Sequence, residues 1–137
     1  TVGPWGSLSN GILGGTLDNQ GWVSNLTIDS QGILKGGIVT GYLLNQGTLV
    51  DITFVGMMLQ GGTLAGTILN ESQVGGTLID VTFAPHAHLQ GGKLQGQIRG
   101  DQEAPAWLEH VKVLKGSILS GVKLGQGVLL EEGVKIE

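Results

Sequence analysis

The sequence predicts an all-β fold: a single-stranded parallel β-helix, or β-solenoid, in which the chain winds around one apolar core. Two interleaved repeats and a high glycine content predict it. A six-residue apolar pattern recurs at nearly even spacing, starting at Val23, Leu49, Leu78 and Leu108. A second pattern, Leu-x-Gly-x-Ile, alternates with it at 34–38, 64–68 and 94–98. Glycine supplies 26 of 137 residues and hydrophobic residues 40 %, so short apolar strands alternate with frequent turns.

The repeats divide a single domain, 1–137, into about four to five coils of 26–30 residues. Residues 1–22 are expected to form a partial N-terminal coil and residues 23–107 the regular coils. In 108–137 the spacing shortens, because a Gly-Val pair recurs every six residues, with valines at 122, 128 and 134. This spacing is typical of a triangular β-helix, so the C-terminal coil is predicted to be of hexapeptide type.

The alternation of side chains along each short strand predicts which residues face the core. In the repeat 78–83, Leu78, Val81 and Phe83 point inward and the chain turns at Asp80. If one repeat makes one coil, equivalent residues of successive repeats lie directly above each other. The predicted core ladder contains Leu49, Leu78, Leu108, Ile52, Val81, Val111, Phe54 and Phe83.

The charge balance argues against nucleic acid as a partner. The chain has seven Lys and Arg residues against eleven Asp and Glu residues, a net charge of −4, whereas nucleic-acid surfaces carry clustered basic residues. No apolar run is long enough to span a bilayer, so membrane insertion is not expected either. The absence of cysteine fits an exported chain without disulfides and a cytosolic one equally. The expected location is extracellular or on the cell surface, with a cytoplasmic scaffold as the alternative.

One set of polar residues occupies the same place in every repeat: Asn25, Asp51, Asp80 and His110. Stacked at one outer corner, these side chains could bind a metal or perform acid–base chemistry. The competing interpretation is that Asx side chains turn the corner by hydrogen bonding to nearby backbone. We favour the turn interpretation, because an active site seldom needs the same residue in successive repeats.

A second candidate is the pair His86 and His88, which share a face if the segment is extended and could then ligate zinc or copper. A third ligand would have to come from Asp51, Asp80 or His110. The aligned position one repeat earlier is Met58, which favours an ordinary strand position. No metal site, cofactor or catalytic residue is therefore predicted.

The repeats resemble those of a known group of proteins. Segments 62–68, 45–49 and 79–83 read Gly-Thr-Leu-Ala-Gly-Thr-Ile, Asn-Gln-Gly-Thr-Leu and Ile-Asp-Val-Thr-Phe. They resemble the glycine-rich β-helix repeats of large bacterial surface and secreted proteins of the filamentous-haemagglutinin type. The closing Gly-Val series is similar to hexapeptide β-helices and to bactofilin scaffolds. The resemblance implies a structural or adhesive segment of a longer polypeptide, and it carries over no catalytic residue.

These observations predict a non-enzymatic structural β-solenoid: a cell-surface stalk, an adhesin module or a self-assembling scaffold. Its expected partners are further copies of itself, associated head-to-tail or laterally, or adjoining segments of a longer chain. The alternative is a carbohydrate-binding or carbohydrate-cleaving β-helix with an outer groove lined by Asp51, Asp80, His86 and His110. A bactofilin-like filament is a third possibility.

Overall fold

A computed structural model describes residues 3, 6–55, 58–70 and 76–137, and these residues form a parallel β-solenoid. Each turn contains three short strands, and the strands of successive turns pair in parallel. Three eight-stranded sheets result, so the described chain makes eight turns of a three-sided helix. The predicted fold class is confirmed.

The strands are two to four residues long, and each group of three completes one turn. Turns one to four contain β1 (Ser7–Ser9), β2 (Ile12–Leu13), β3 (Thr16–Asp18), β4 (Trp22–Ser24), β5 (Thr27–Ile28), β6 (Ile33–Lys35), β7 (Ile38–Thr40), β8 (Tyr42–Asn45), β9 (Thr48–Val50), β10 (Thr53–Phe54), β11 (Met58–Gln60) and β12 (Thr63–Ala65). Turns five to eight contain β13 (Thr67–Asn70), β14 (Thr77–Ile79), β15 (Thr82–Phe83), β16 (His88–Gln90), β17 (Lys93–Gln95), β18 (Gln97–Arg99), β19 (Ala106–Glu109), β20 (Lys112–Val113), β21 (Ile118–Ser120), β22 (Val122–Leu124), β23 (Leu129–Leu130) and β24 (Lys135–Ile136).

Each sheet takes every third strand. Sheet I runs from β1 to β22, sheet II from β2 to β23 and sheet III from β3 to β24. Within a sheet, the strand of one turn pairs with the strands of the turns before and after it. Inward residues therefore stack in columns, such as Leu43, Leu59, Leu78, Leu94 and Val113 in sheet II. Sheet III has the equivalent column Leu34, Leu49, Leu64 and Phe83.

The turns are much shorter than predicted. Thr48 pairs with Ile33 on one side and with Thr63 on the other, so each of these turns is about half as long as a predicted coil. The turn between Gln97 and its partner Ile118 is longer, but it also stays below the predicted length. The prediction of four to five long coils therefore needs a correction, because the described chain makes eight shorter turns.

The sequence repeat and the structural turn have different lengths. The four copies of the six-residue pattern begin in or just before β4, β9, β14 and β19, which are five strands apart, whereas a turn contains three strands. One repeat thus covers one and two-thirds turns. Because interiors are close-packed, five strands of this length in one turn would enclose a space too wide for Leu, Ile and Val side chains to fill.

The predicted core ladder consequently needs a correction too. All eight of its residues are buried, with at most 2 % of their surface exposed. However, Leu49 lies in sheet III, Leu78 in sheet II and Leu108 in sheet I, so these three residues do not stack on one another. The residue directly above Leu49 is Leu64, and the residue above Leu78 is Leu94. Alternation along each strand gave the inward face correctly, but the assumed turn length gave the wrong vertical neighbours.

The last turn follows the same plan as the rest. Val122, Val128 and Val134 pack against the core at six-residue spacing, one before or in each of the strands β22, β23 and β24. The hexapeptide spacing therefore reports a three-sided cross-section that the whole described solenoid shares.

Substituting Val81 with aspartate should prevent folding. Val81 is 0 % exposed inside the core, where a carboxylate would lose its hydration without gaining a partner, at a cost of several kcal/mol. The matched control is Thr82→Asp, because Thr82 is the exposed next residue and pairs with Arg99 across the strands. Thermal unfolding followed by circular dichroism should show no cooperative transition for Val81→Asp and a near-wild-type one for Thr82→Asp. Wild-type melting of Val81→Asp would contradict the assigned inward face.

Candidate functional site

The polar residues that recur in each repeat form the corners of the solenoid. Asn25, Asp51 and Asp80 have left-handed backbone conformations, with φ between 52° and 53°. Their side-chain oxygens accept hydrogen bonds from the next turn: Asn25 from the Tyr42 N–H at 3.1 Å, Asp51 from Thr67 at 2.9 Å and Asp80 from Gln97 at 2.8 Å. These side chains are thus turn residues that tie one turn to the next.

A glycine of the following turn makes room for each of these side chains. Gly66 and Gly96 have positive φ, and a Cβ on either would overlap the carboxylate oxygen of Asp51 or Asp80. His110, with φ 53°, lies against Gly127 in the same manner. The corner side chain and the glycine above it therefore form one packing unit.

The four corner residues do not form a ladder, contrary to the prediction. Asn25 and His110 lie at the corner between sheets I and II but five turns apart. Asp51 lies between sheets III and I, and Asp80 between sheets II and III. His86 shares the III–I corner with Asp51, two turns away, so the predicted groove of Asp51, Asp80, His86 and His110 does not exist as one surface. The cause is again the five-strand repeat, which moves each copy to another corner.

A second set of corner residues, which the sequence analysis missed, is buried. Asn19, Asn45 and Asn70 are at most 3 % exposed, and each side-chain oxygen accepts a 2.9 Å hydrogen bond from the glycine that follows: Gly21, Gly47 and Gly76. A Gly-Gly pair of the next turn packs on each amide, at 36–37, 61–62 and 91–92. The Asn-Gln-Gly tripeptides at 19–21 and 45–47 and the recurring Gly-Gly dipeptides carried this signal in the sequence.

The two histidines proposed as metal ligands have different environments. His86 is a corner residue with φ 60°, and its N–H donates to the Ala104 carbonyl at 3.0 Å. His88 lies on the outer face of β16, and its Nε2 is 3.4 Å from Glu109 Oε1. Among the described residues, no group of three or more His, Cys, Asp or Glu side chains is arranged to hold a metal ion.

An aromatic and polar cluster occupies the outer face of sheet I in turns six to eight. Trp107 is 41 % exposed, and its Nε1–H donates to Glu109 Oε1 at 2.5 Å. In register, Trp107 lies between His88 and Lys123 of the neighbouring turns, and Glu109 pairs with Gln90. Sequence reasoning could not assemble this cluster, because its members come from three turns of unequal length.

A basic cleft lies around the adjacent corner, between sheets I and II. Lys93 and Lys112 are paired in register on sheet II, and with His110 and Leu129 they line a cleft of about 230 Å³. Gly92 and Gly127 form part of its wall and add no side chains. The cleft and the Trp107 cluster lie on either side of His110.

Glu131 is the carboxylate beside this cleft. Its Oε1 accepts the Lys115 N–H at 3.0 Å, and its Oε2 is 3.3 Å from Lys112 Nζ. These hydrogen bonds, the backbone one first, hold the pKa of Glu131 below its ordinary value of 4.5. The carboxylate therefore joins the last two turns, Lys115 in one and Glu131 in the other.

Comparisons with protein-family models, curated proteins and solved structures give no match. The described residues contain no helix with the length and apolarity needed to cross a bilayer. Fold and local geometry are therefore the grounds on which a function is proposed.

The corner role of Asp80 can be tested by three substitutions. Asp80→Asn should leave stability unchanged, because Asn accepts the same hydrogen bond from Gln97 and tolerates the left-handed backbone. Asp80→Gly should lose about 1 kcal/mol with the hydrogen bond. Asp80→Ala should lose roughly 1–2 kcal/mol more, because Cβ strains the positive φ. Urea unfolding would measure the free energy of unfolding of each variant. Equal free energies for Asp80→Asn and Asp80→Ala would contradict the corner role.

The contacts of Glu131 predict a pH dependence of stability. Because the folded pKa is lowered, the stabilisation is present above the unfolded pKa and is lost as the pH falls through the folded pKa. Wild type should thus exceed Glu131→Gln in urea midpoint at pH 7, and the difference should vanish under strongly acidic conditions. Glu132→Gln is the matched control at the adjacent residue. A difference that is independent of pH would show that Glu131 acts through shape and not through charge.

Proposed function

We propose that this chain is a rigid structural segment that elongates by head-to-tail stacking with further copies of itself. The observation that carries the proposal is that all three sheets begin in the first described turn and end in the last. In the described residues, β1, β2 and β3 at one end and β22, β23 and β24 at the other each pair on one side only. Each end of the described solenoid thus has three parallel strand edges that could accept another turn.

Each of the two end faces has one aliphatic inward side chain from each sheet. The inward positions of the first turn are Leu8, Leu13 and Leu17, one in each sheet. The inward positions of the last turn are Leu124, Leu130 and Ile136, also one in each sheet. The latter three side chains are 36 %, 44 % and 53 % exposed, whereas equivalent side chains inside the stack are at most 2 % exposed. A second copy placed end to end would continue all three apolar columns.

The stacking contact has two sources of stability. Burying each exposed Leu or Ile contributes up to roughly 1.5–3 kcal/mol, and the three new strand pairs satisfy edge backbone groups. Against this stands the loss of translational and rotational freedom on association, about 4–15 kcal/mol. The balance predicts association that depends strongly on concentration. Because the two end faces differ, the contact is heterologous and does not close, so it generates filaments.

The proposed setting is a stalk or adhesin module of a bacterial surface protein, whose copies would stack end to end. The resemblance of the repeats to filamentous-haemagglutinin-type proteins supports it. A cytoplasmic scaffold of bactofilin type would use the same end contact. In either setting the segment acts as a spacer and not as an enzyme.

Two end variants test the head-to-tail contact. Leu8→Glu places a charge on the N-terminal face and leaves the C-terminal face intact, and Leu130→Glu does the reverse. Each variant alone should sediment as a monomer, because every contact would include one altered face. An equimolar mixture should form a one-to-one dimer, since one intact face of each kind remains. Analytical ultracentrifugation measures all three samples, and wild type should form larger species as its concentration rises.

The matched controls are Ser9→Glu and Leu129→Glu, because both residues lie beside the altered positions but face outward. Both should assemble like wild type, and circular dichroism should show that all four variants are folded. A wild-type chain that remains monomeric at millimolar concentration would overturn the proposal. Continued assembly of each end variant alone would instead assign association to the sides of the solenoid, and would overturn it too.

A further inference from the structure

The structural role leaves the Trp107 cluster and the neighbouring basic cleft without a use. In an acidic chain with seven basic residues, Lys93, Lys112 and Lys123 lie together in turns six to eight around one corner. In this region an exposed tryptophan, Trp107, also lies in register with an imidazole and an ammonium group, those of His88 and Lys123. Its composition differs from the rest of the outer surface, where Trp22 lies in register between Ser7 and Ile38.

Trp107 is exposed but held in position. Its Nε1–H is bound to Glu109, and its ring lies against Gly125, where a Cβ would come within 2.8 Å of Nε1. An aromatic ring fixed in this way loses little conformational freedom when a ligand stacks on it. Gln90 on the adjacent strand and Lys123 of the next turn supply exposed hydrogen-bonding groups beside the ring. An aromatic surface ringed by such groups matches a pyranose, which has an apolar C–H face and hydroxyls around its edge.

The basic cleft offers positive charge to an anionic group. Lys93 and Lys112 are direct cross-strand neighbours, and like charges in such positions repel each other. Glu131 pairs with Lys112, whereas Lys93 has no ion-pair partner among the described residues. The cleft volume of about 230 Å³ accommodates one sugar-sized group, with a carboxylate or sulfate facing the two ammonium groups.

The two features are close enough for one ligand to reach both. Trp107 precedes His110 by three residues, which span at most about 10 Å, and His110 lines the cleft. Gly125 contacts Trp107 and Gly127 contacts His110, so the next turn adds no side-chain wall between the two features at these positions. An oligosaccharide of a few residues can therefore cover the corner.

We propose that this corner of turns six to eight binds an acidic polysaccharide. One sugar ring stacks on Trp107, its hydroxyls bond to Gln90 and Lys123, and the carboxylate or sulfate of a neighbouring residue occupies the cleft between Lys93 and Lys112. A single-stranded nucleic acid offers rings and charge as well, but proteins that bind single strands stack successive bases on several aromatic side chains, whereas this corner has the one ring of Trp107. The site uses outward side chains of turns six to eight, including Lys123 and Leu129 of the last turn, whereas the end-to-end contact uses the inward side chains and free strand edges of that turn.

Isothermal titration calorimetry of the full chain tests the proposal with four probes. These are oligogalacturonate for carboxylates, heparin-derived oligosaccharides for sulfates, dextran oligosaccharides as the neutral control, and a single-stranded oligonucleotide. We expect binding of at least one acidic oligosaccharide, at least tenfold tighter than dextran. Trp107→Ala should weaken that binding at least tenfold, and Lys93→Gln should weaken it several-fold while reducing its salt dependence.

The matched controls are Trp22→Ala and Lys35→Gln, an exposed tryptophan and an exposed lysine far from this corner. Both should bind like wild type. Failure of both acidic oligosaccharides to bind, or equal affinity for dextran, would overturn the proposal. Equal binding of the oligonucleotide, with no effect of Trp107→Ala on any probe, would identify unspecific polyanion binding and would overturn it as well.

Discussion

The fold depends on one recurring contact, the hydrogen bond by which a corner side chain holds the backbone of the next turn. Asp51 and Asp80 make it to the first residue of a strand above them, and a glycine above each leaves the space that the carboxylate fills. The contact lies where the chain bends from one sheet to the next, and it connects that corner to the turn above. Tight corners and strands of two to four residues leave three sides per turn, and a three-sided tube of this size is filled by single Leu, Ile or Val side chains.

The sequence predicted local features well and the winding poorly. The inward face of each strand follows from alternation between neighbouring residues, which is why all eight proposed core residues are buried. The corner role of Asp80 follows equally from residue type. Which residue lies above Leu49 depends instead on how many residues complete a turn, a property of the closed cross-section. The visible repeat suggested one turn per repeat. In the structure, however, a repeat contains five strands and a turn contains three.

The same limit explains which surface features were missed. Trp107, Lys123 and His88 lie side by side, yet they belong to three successive turns, and the longer connection between β18 and β19 makes those turns unequal in length. No regular period connects such residues. The buried Asn45 was different, because it recurs with a following glycine and could have been recognised as a second kind of corner. Repeated features were thus accessible from sequence, and singular surface clusters were not.

Because a repeat contains five strands and a turn contains three, successive repeats start on different sides of the solenoid. Adding one repeat unit would lengthen it by roughly 8 Å, since strands are about 4.8 Å apart, and would also rotate everything beyond the insertion by two-thirds of a revolution. Only the addition of three repeat units, or of a multiple of three, would return a distal surface to its original direction. Duplication within such a gene would therefore change where an attached module faces as well as how far it reaches.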